Sequence, residues 1–281
     1  MTTPSVLISG LGLMGGSLAA SLSSAGWRVF VHHHRPTVAH QAQARGWGHA
    51  VSTFTEAPPV DLAVVCTPVS VIAPTVRAIA AATSALITDV GSTKAGICAE
   101  LSDLGPRFIG SHPMCGSHRQ GLGSADPELY RGRVALITPT TLALPADIER
   151  IKHLWRAAGS RTVCMTPAMH DRLVAEASHL PHVLASLTAS QLTTEAVPLC
   201  AGGFRDATRI AAAGPDLWVD ILLANRDAML PLLRNARERL HHLEAALLAG
   251  DGPEIRAWLA AGHAGRKRYD DAQSQSQSPL A

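Results

Sequence analysis

The chain has 281 residues, 47% of them hydrophobic, enough for one large domain or two ordinary ones, and its net charge of +2 leaves no basic footprint for nucleic acid. The five cysteines, Cys66, Cys98, Cys115, Cys164 and Cys200, form no CxxC pair, which argues against a disulfide framework or zinc site and points to a reducing cytoplasm. The start, MTTPSVLISG, has no basic leader segment, and no apolar run approaches the roughly 20 residues of a membrane span.

Residues 5–10, SVLISG, are a short apolar run closed by glycine and predict a buried strand. Gly10-Leu11-Gly12-Leu13-Met14-Gly15 then fits G-x-G-x-x-G, and a helical pattern continues through Ala25. In this context Gly10 allows a tight turn, Gly12 lets backbone approach a pyrophosphate, and Gly15 lets helix pack on strand. The free N–H groups of the helix start favour phosphate. A dinucleotide site is expected on Gly10, Gly12, Leu13, Met14 and Gly15.

A second strand, 28–32, leads into His33-His34-Arg35-Pro36. NAD sites usually place an acidic residue here, to hold the ribose hydroxyl and repel a 2′-phosphate. This chain has none, so the repulsion is missing, and Arg35 with His33 or His34 offers donors to a phosphate. The expected cofactor is NADP or NAD, with NADP slightly favoured; the alternative for Arg35 is a solvent-facing loop residue. With His32 the run holds three histidines, but adjacent side chains diverge on a strand, so no metal site is expected.

Residues 61–67 (DLAVVCT) predict a buried strand, followed by Pro68 and a helix to about 82; residues 84–90 (SALITDV) predict the next strand. It ends in Gly91-Ser92-Thr93-Lys94, where a helix begins. Ser92 is either its N-cap or a residue facing the crevice. Strands alternating with helices at this spacing mean a parallel, doubly wound sheet. Phe108 and Ile109 look like the end of a short strand, which Gly110 breaks before Ser111-His112-Pro113. A histidine just past a strand's C-terminal end sits where open α/β sheets hold ligands, and neutral imidazole is the usual proton acceptor near pH 7. The plainer reading is a histidine that only caps the strand.

Residues 121–132, glycine-rich and polar, predict a mobile flap. A strand at 134–138, a helix at 145–158 and a strand at 161–165 follow, and Thr166-Pro167 closes the sheet domain. From there the pattern is helical. Asp171, Ala175, His179 and His182 fall on one stripe, with Pro181 inside it, where proline costs about 3 kcal/mol and forces a kink. The two histidines are either a satisfied polar face or part of a site. Arg205 and Arg209 are helical neighbours; one can pair with Asp206 or Glu176 and the other can meet an anion. Residues 215–248 read as long helical sequence whose apolar stripe is core or subunit interface. A last helix is expected at 254–268, and the polar tail is expected to be disordered. The division is 1–166, 167–270 and the tail 271–281.

Six segments now agree in order: GLGLMGGSLA, CTPVS, TDVGSTK, SHPMCG, SHLPH and GGFRDATRIA. Together, over residues from about 5 to 268, they resemble the prephenate/arogenate dehydrogenase family of tyrosine biosynthesis. The resemblance implies an α/β Rossmann-type doubly wound parallel sheet followed by an all-α C-terminal dimerisation domain, with the active site in the cleft between them. It implies a cytoplasmic homodimer that oxidatively decarboxylates prephenate to 4-hydroxyphenylpyruvate, with hydride transfer to NAD(P)+ and no metal. By resemblance, His112 takes the ring hydroxyl's proton, and Ser92 orients it and reaches cofactor and substrate. Arg209 binds the side-chain carboxylate, His179 and His182 line the cleft, and Asp171 and Trp218 also fall on the family pattern. Thr67, Pro68, Asp89 and Ser92 join the glycine loop, His33 and Arg35 on the cofactor side. Gln120 sits in the flap where an acidic side chain would hold arogenate's ammonium, and its neutrality leans toward prephenate.

Two residues depart from the family pattern: Cys115 stands where alanine is common, and His33 where NAD-using members carry aspartate. No chorismate mutase segment is expected before the glycine loop and no regulatory domain in the tail. Arogenate and 4-amino-4-deoxyprephenate remain open as substrates. A β-hydroxyacid dehydrogenase or imine reductase shares the glycine loop but relies on a lysine or aspartate in the helical part, and no lysine lies between Lys152 and Lys267. A non-enzymatic dinucleotide sensor has no use for His112, Ser92 and Arg209 together.

Overall fold

The structure, a computed structural model, describes residues 3–115 and 119–277; Gly116 of the SHPMCG motif lies outside them. Strand β1 (Ser5–Ser9) runs into the glycine loop and helix α1 (Leu13–Ser24). Then come β2 (Arg28–His32), α2 (Pro36–Ala44), β3 (His49–Ala50), β4 (Leu62–Val65), α3 (Ile72–Ala82), β5 (Leu86–Asp89) and α4 (Ala95–Glu100). The five strands form one parallel sheet in the order β3-β2-β1-β4-β5. The order reverses between β1 and β4, which opens a crevice at their C-terminal ends.

The strands read as unbroken apolar runs because both faces are covered. Side chains alternate between the faces. Val6, Ile8, Val29, Val31, Leu62 and Val64 share one core with Leu18 and Leu22 of α1 and Ala39 and Ala42 of α2. Leu7, Phe30, Ala63 and Val65 share the other with Ile72, Val76 and Ile79 of α3 and Ile97 of α4.

A second sheet of three strands follows: β6 (Gly110–Pro113), β7 (Val134–Thr138) and, after helix α5 (Pro145–Ala157), β8 (Arg161–Cys164). β6 is antiparallel to β7, β7 is parallel to β8, and a bridge between Ile87 and Phe108 ties β6's approach to β5. Gly110 therefore does not end a strand; it opens one, and His112 lies within it. The glycine serves close approach. A Cβ there would sit 2.7 Å from Thr138 Oγ1 and 3.1 Å from both Cys98 Sγ and Lys94 Cδ.

The flap expectation also changes. Within 121–132, Leu122 and Tyr130 are buried, the Tyr130 hydroxyl donates to the Met14 carbonyl at 2.7 Å, and Arg45 donates to the Leu122 carbonyl at 3.1 Å. Two deep anchors pin a segment whose composition looks loose.

Thr166 caps helix α6 (Pro167–Val174), accepting the Met169 N–H at 3.2 Å, with Pro167 in the first turn, where its missing N–H costs nothing. A π-helical turn, Ala175–His179, leads into α7 (Leu180–Ser190). Pro181 thus opens α7 instead of kinking a helix interior. The chain changes hydrogen-bond ladder just where proline has no N–H to give. Helix α8 (Gly202–Thr208), a 3-10 turn at Arg209–Ala212, and α9 (Pro215–Ala224) follow. The long helical stretch breaks at Asn225 and resumes as α10 (Arg226–Ala249), then α11 (Gly252–Gln277). The expected disorder from 271 is thus helix as far as Gln277.

By packing, the chain forms two compact units, Met1–Met229 and Leu230–Ala281. In the second unit, α10 turns at Gly250 (φ 66°) into α11, and Trp258 Nε1 donates to the Arg239 carbonyl at 2.9 Å. Leu240, Leu247, Leu248 and Leu259 are exposed there. Among the described residues, no helix is long and apolar enough to cross a membrane.

Candidate active site

The glycine loop is built as a cradle. Gly10 has φ 95°, and a Cβ there would lie 2.7 Å from the Cys66 carbonyl oxygen. A Cβ on Gly15 would run into the Gly10 carbonyl, so glycine alone lets α1 start this close to β1. Nothing lies within 4 Å of a Cβ at Gly12, which leaves open space over the helix N-terminus. Thr67 Oγ1 is buried beside this turn with no hydrogen-bond partner among the described residues. An open cradle at a helix start with an unsatisfied hydroxyl fits a bound pyrophosphate.

Beyond β2 the histidines part. His32 Nδ1 lies 3.1 Å from Ser9 Oγ, and its ring packs on Phe54. His33 and His34 lie past the strand end, so they do not diverge; their rings lie against each other, tilted, with centroids 4.2 Å apart. His33 Nδ1 accepts the Arg35 N–H at 3.0 Å, and the Arg35 side chain is exposed.

Asp89, expected on the cofactor side, is instead fully buried. It pairs with the equally buried Lys94 and accepts N–H bonds from Gly91 (2.8 Å) and Ser111 (3.1 Å). The Ser111 hydroxyl donates to the Asp89 carbonyl and accepts from Trp155 Nε1 at 3.0 Å, which leaves Thr88 as the donor in their 2.7 Å contact. These bonds lock β6 against β5, under His112.

His112 is buried, and its Nδ1 lies 2.9 Å from His170 Nε2. Burial above all, and then the electrostatic influence of His170, Lys94 and His179, pushes its pKa well below the usual histidine range, so the ring is neutral near pH 7. His170, fully buried, places Nδ1 2.7 Å from Asp171 Oδ1. Asp171 also caps α4 from outside, accepting the Lys94 and Ala95 N–H groups at 2.7 and 2.8 Å. Burial raises its pKa, but the bonds from His170 and the two amides outweigh that and hold it below the ordinary aspartate value.

His179 is buried and neutral, pushed down to about 4 chiefly by burial. Asn225 Nδ2 donates to the Asp171 carbonyl at 2.9 Å and lies 3.1 Å from His179 Nδ1. An amide N–H can only donate, so His179 keeps its proton on Nε2. Trp218 stacks on His182 with centroids 3.4 Å apart and meets His179 edge-on at 5.8 Å. The buried Nδ1 of His182 has no partner among the described residues.

The structure therefore gathers His112, Asp171, His179, His182 and Trp218. Ser92 is half-buried in the turn that Asp171 pins; α4's cap position is Lys94, so Ser92 is not the N-cap. Arg209 is exposed on the 3-10 turn that packs against α7. Arg205 pairs with Asp206, while Glu176 pairs with Arg172. Gln120 is exposed, its amide against Gly214. Sequence reasoning missed His170 and Asn225. His170 had a signal, since it directly precedes Asp171; Asn225 had only its place at the break of a helical run.

A doubly wound sheet with this cradle, and a buried neutral imidazole under a polar network, defines an NAD(P)-dependent oxidoreductase. The family described as "Prephenate dehydrogenase, nucleotide-binding domain" matches residues 18–164, and "Prephenate dehydrogenase, dimerization domain" matches residues 166–261. The chain belongs to the prephenate dehydrogenase family. It is 32% identical over 262 residues to the cyclohexadienyl dehydrogenase of Zymomonas mobilis, covering 88% of this chain and 89% of that one. It is 30% identical to the prephenate dehydrogenase of Lactococcus lactis, covering 92% and 75%. The crystal structure of prephenate dehydrogenase from A. aeolicus, in complex with hydroxyphenyl propionate and NAD+, superposes with a TM-score of 0.87 at 28% identity, covering 96% and 99%.

Proposed function

We propose that the chain converts prephenate to 4-hydroxyphenylpyruvate and carbon dioxide, within tyrosine biosynthesis. The observation that carries this is His112: a buried, neutral imidazole held by a chain of hydrogen bonds. Bound nicotinamide supplies the acceptor for the hydride leaving the hydroxyl-bearing ring carbon. His112 takes the hydroxyl proton as the carbonyl forms. The ring carboxylate then leaves as carbon dioxide, its electron pair makes the ring aromatic, and His112 returns the proton to the phenolate oxygen. Hydride and carbon dioxide are the net losses. Ser92, in the turn that Asp171 pins, helps orient His112 and reaches cofactor and substrate, and Arg209 holds the substrate's side-chain carboxylate, with His179 Nε2–H as a further donor. His182 and Trp218 form one flat wall.

Gly10, Gly12, Leu13, Met14, Gly15, Thr67 and Pro68 hold the dinucleotide. NADP+ serves at least as well as NAD+, since β2 ends without a carboxylate and Arg35 is free to meet a 2′-phosphate. The free cysteines suit a cytoplasmic enzyme, and the exposed leucines of α10 and α11 suit a homodimer. The Zymomonas relative's broader name favours a second reading, in which arogenate is also accepted. The test is the rise in reduced-nicotinamide absorbance with prephenate, arogenate or 4-amino-4-deoxyprephenate. Absence of a rise with prephenate refutes the proposal.

A further inference from the structure

Asp171, His170 and His112 lie in a line. Asp171 Oδ1 is 2.7 Å from His170 Nδ1, and His170 Nε2 is 2.9 Å from His112 Nδ1. All three are buried. The carboxylate already takes two backbone N–H groups and is ionised, so it acts only as an acceptor. His170 Nδ1 therefore carries a proton. In a neutral imidazole the other nitrogen is then bare, so His170 Nε2 accepts and His112 Nδ1 donates. That leaves the Nε2 of His112 bare.

We propose that His170 and Asp171 are positioning residues that hold His112 as its Nδ1–H tautomer, with the Nε2 lone pair presented to the substrate hydroxyl. This rests on the role proposed for His112 above. The relay acts twice. Before reaction it removes the tautomer whose Nε2 is already protonated and cannot act as a base. When the proton arrives, the imidazolium has an acceptor at Nδ1 and a negative charge one imidazole away, in a buried place where an isolated cation is costly. His170, Lys94 and His179 all disfavour protonation of this ring, Lys94 while paired with Asp89, and the hydrogen bonds of the relay connect the ring to the Asp171 carboxylate.

Asp171 also caps α4, so its variants mix stability with catalysis; His170 separates the two. The experiment uses ¹⁵N-histidine-labelled protein without substrate, with His112→Asn to assign the signal, and steady-state kinetics of His170→Phe and His170→Gln. Long-range ¹H–¹⁵N spectra should show wild-type His112 protonated at Nδ1 and a shift toward Nε2–H in His170→Phe. That variant should lose about 10- to 10³-fold in kcat, less than the ~10⁴ that a wrong tautomer costs a serine-protease triad, with KM for prephenate changed less than about threefold. His170→Gln, whose amide oxygen can accept the Nδ1–H, should recover part of the loss. An Nε2–H tautomer in the wild-type protein overturns the proposal, whether or not the variants fold. So does near wild-type kcat in His170→Phe when His112→Asn is crippled. If His112→Asn itself keeps its kcat, the proposed function fails instead, and the wild-type spectrum still decides the tautomer.

Discussion

Replacing Lys94 with methionine tests the buried frame under His112. Both side chains of the Lys94–Asp89 pair have no solvent exposure, so removing the ammonium strands a carboxylate in the interior. Breaking a buried pair from one side costs about 3–5 kcal/mol. Asp89 keeps its two N–H donors, from Gly91 and Ser111, which places the loss near the low end, at about 3 kcal/mol. For a chain of this size that lowers the melting temperature by roughly 6–12 °C. The assay is thermal unfolding without cofactor at fixed protein concentration. Asp89→Asn combined with Lys94→Met removes both charges at similar volume and should recover much of the loss. The acid limb of the kcat profile should also move to higher pH in Lys94→Met. Burial still depresses His112, but one of the positive charges opposing its protonation is gone. An unchanged melting temperature, or a double variant no better than the single, refutes the reasoning.

His112→Asn should lower kcat by roughly 10²–10⁴ with little change in KM, read by nicotinamide absorbance with prephenate. Arg35→Ala should cut kcat/KM for NADP+ by about tenfold, the worth of one charge-assisted bond, and leave NAD+ nearly unchanged; an unaltered ratio removes Arg35 from cofactor choice. His112 and His179 titrate lower in the folded protein than in the unfolded chain, so the unfolded state takes up protons first. Stability should be full above pH about 6.5 and fall as pH drops toward 4; urea midpoints independent of pH across that window would contradict the burial of neutral imidazoles.

Much of the five-stranded sheet was legible because parallel strands covered on both faces are continuous apolar runs, as in β1 and β4. β6 was not. Gly-Ser-His-Pro carries no apolar signal, and its glycine is there to admit Lys94 and Thr138. Asp89 was expected on the cofactor side by resemblance, and only the fold shows Lys94 turning inward to meet it. The flap hid two anchors among polar residues, and a two-residue anchor has no periodicity to detect. The stripe of Asp171, His179 and His182 was visible through its spacing. His170 lies off that spacing, and its one mark in the sequence is that it directly precedes Asp171. The Asn225 break fell in a run whose composition favours helix throughout.

Asp171 serves a helix end with one oxygen, and with the other both that helix end and an imidazole, while its own carbonyl receives Asn225. Variation there damages architecture and chemistry together, so the position is closed to gradual change. Gln120 and Gly214 are the opposite case. Gln120 is exposed and Gly214 half-buried, and the glutamine amide nitrogen would lie 3.0 Å from a Cβ added at Gly214. With Gln120 read as a substrate-side residue, a larger residue at 214, or a charged one at 120, should alter which substrates fit without touching a proton-carrying group. On the proposed placement of Gln120 beside the substrate, a mutant library confined to 120 and 214 should yield altered specificity with the melting temperature preserved.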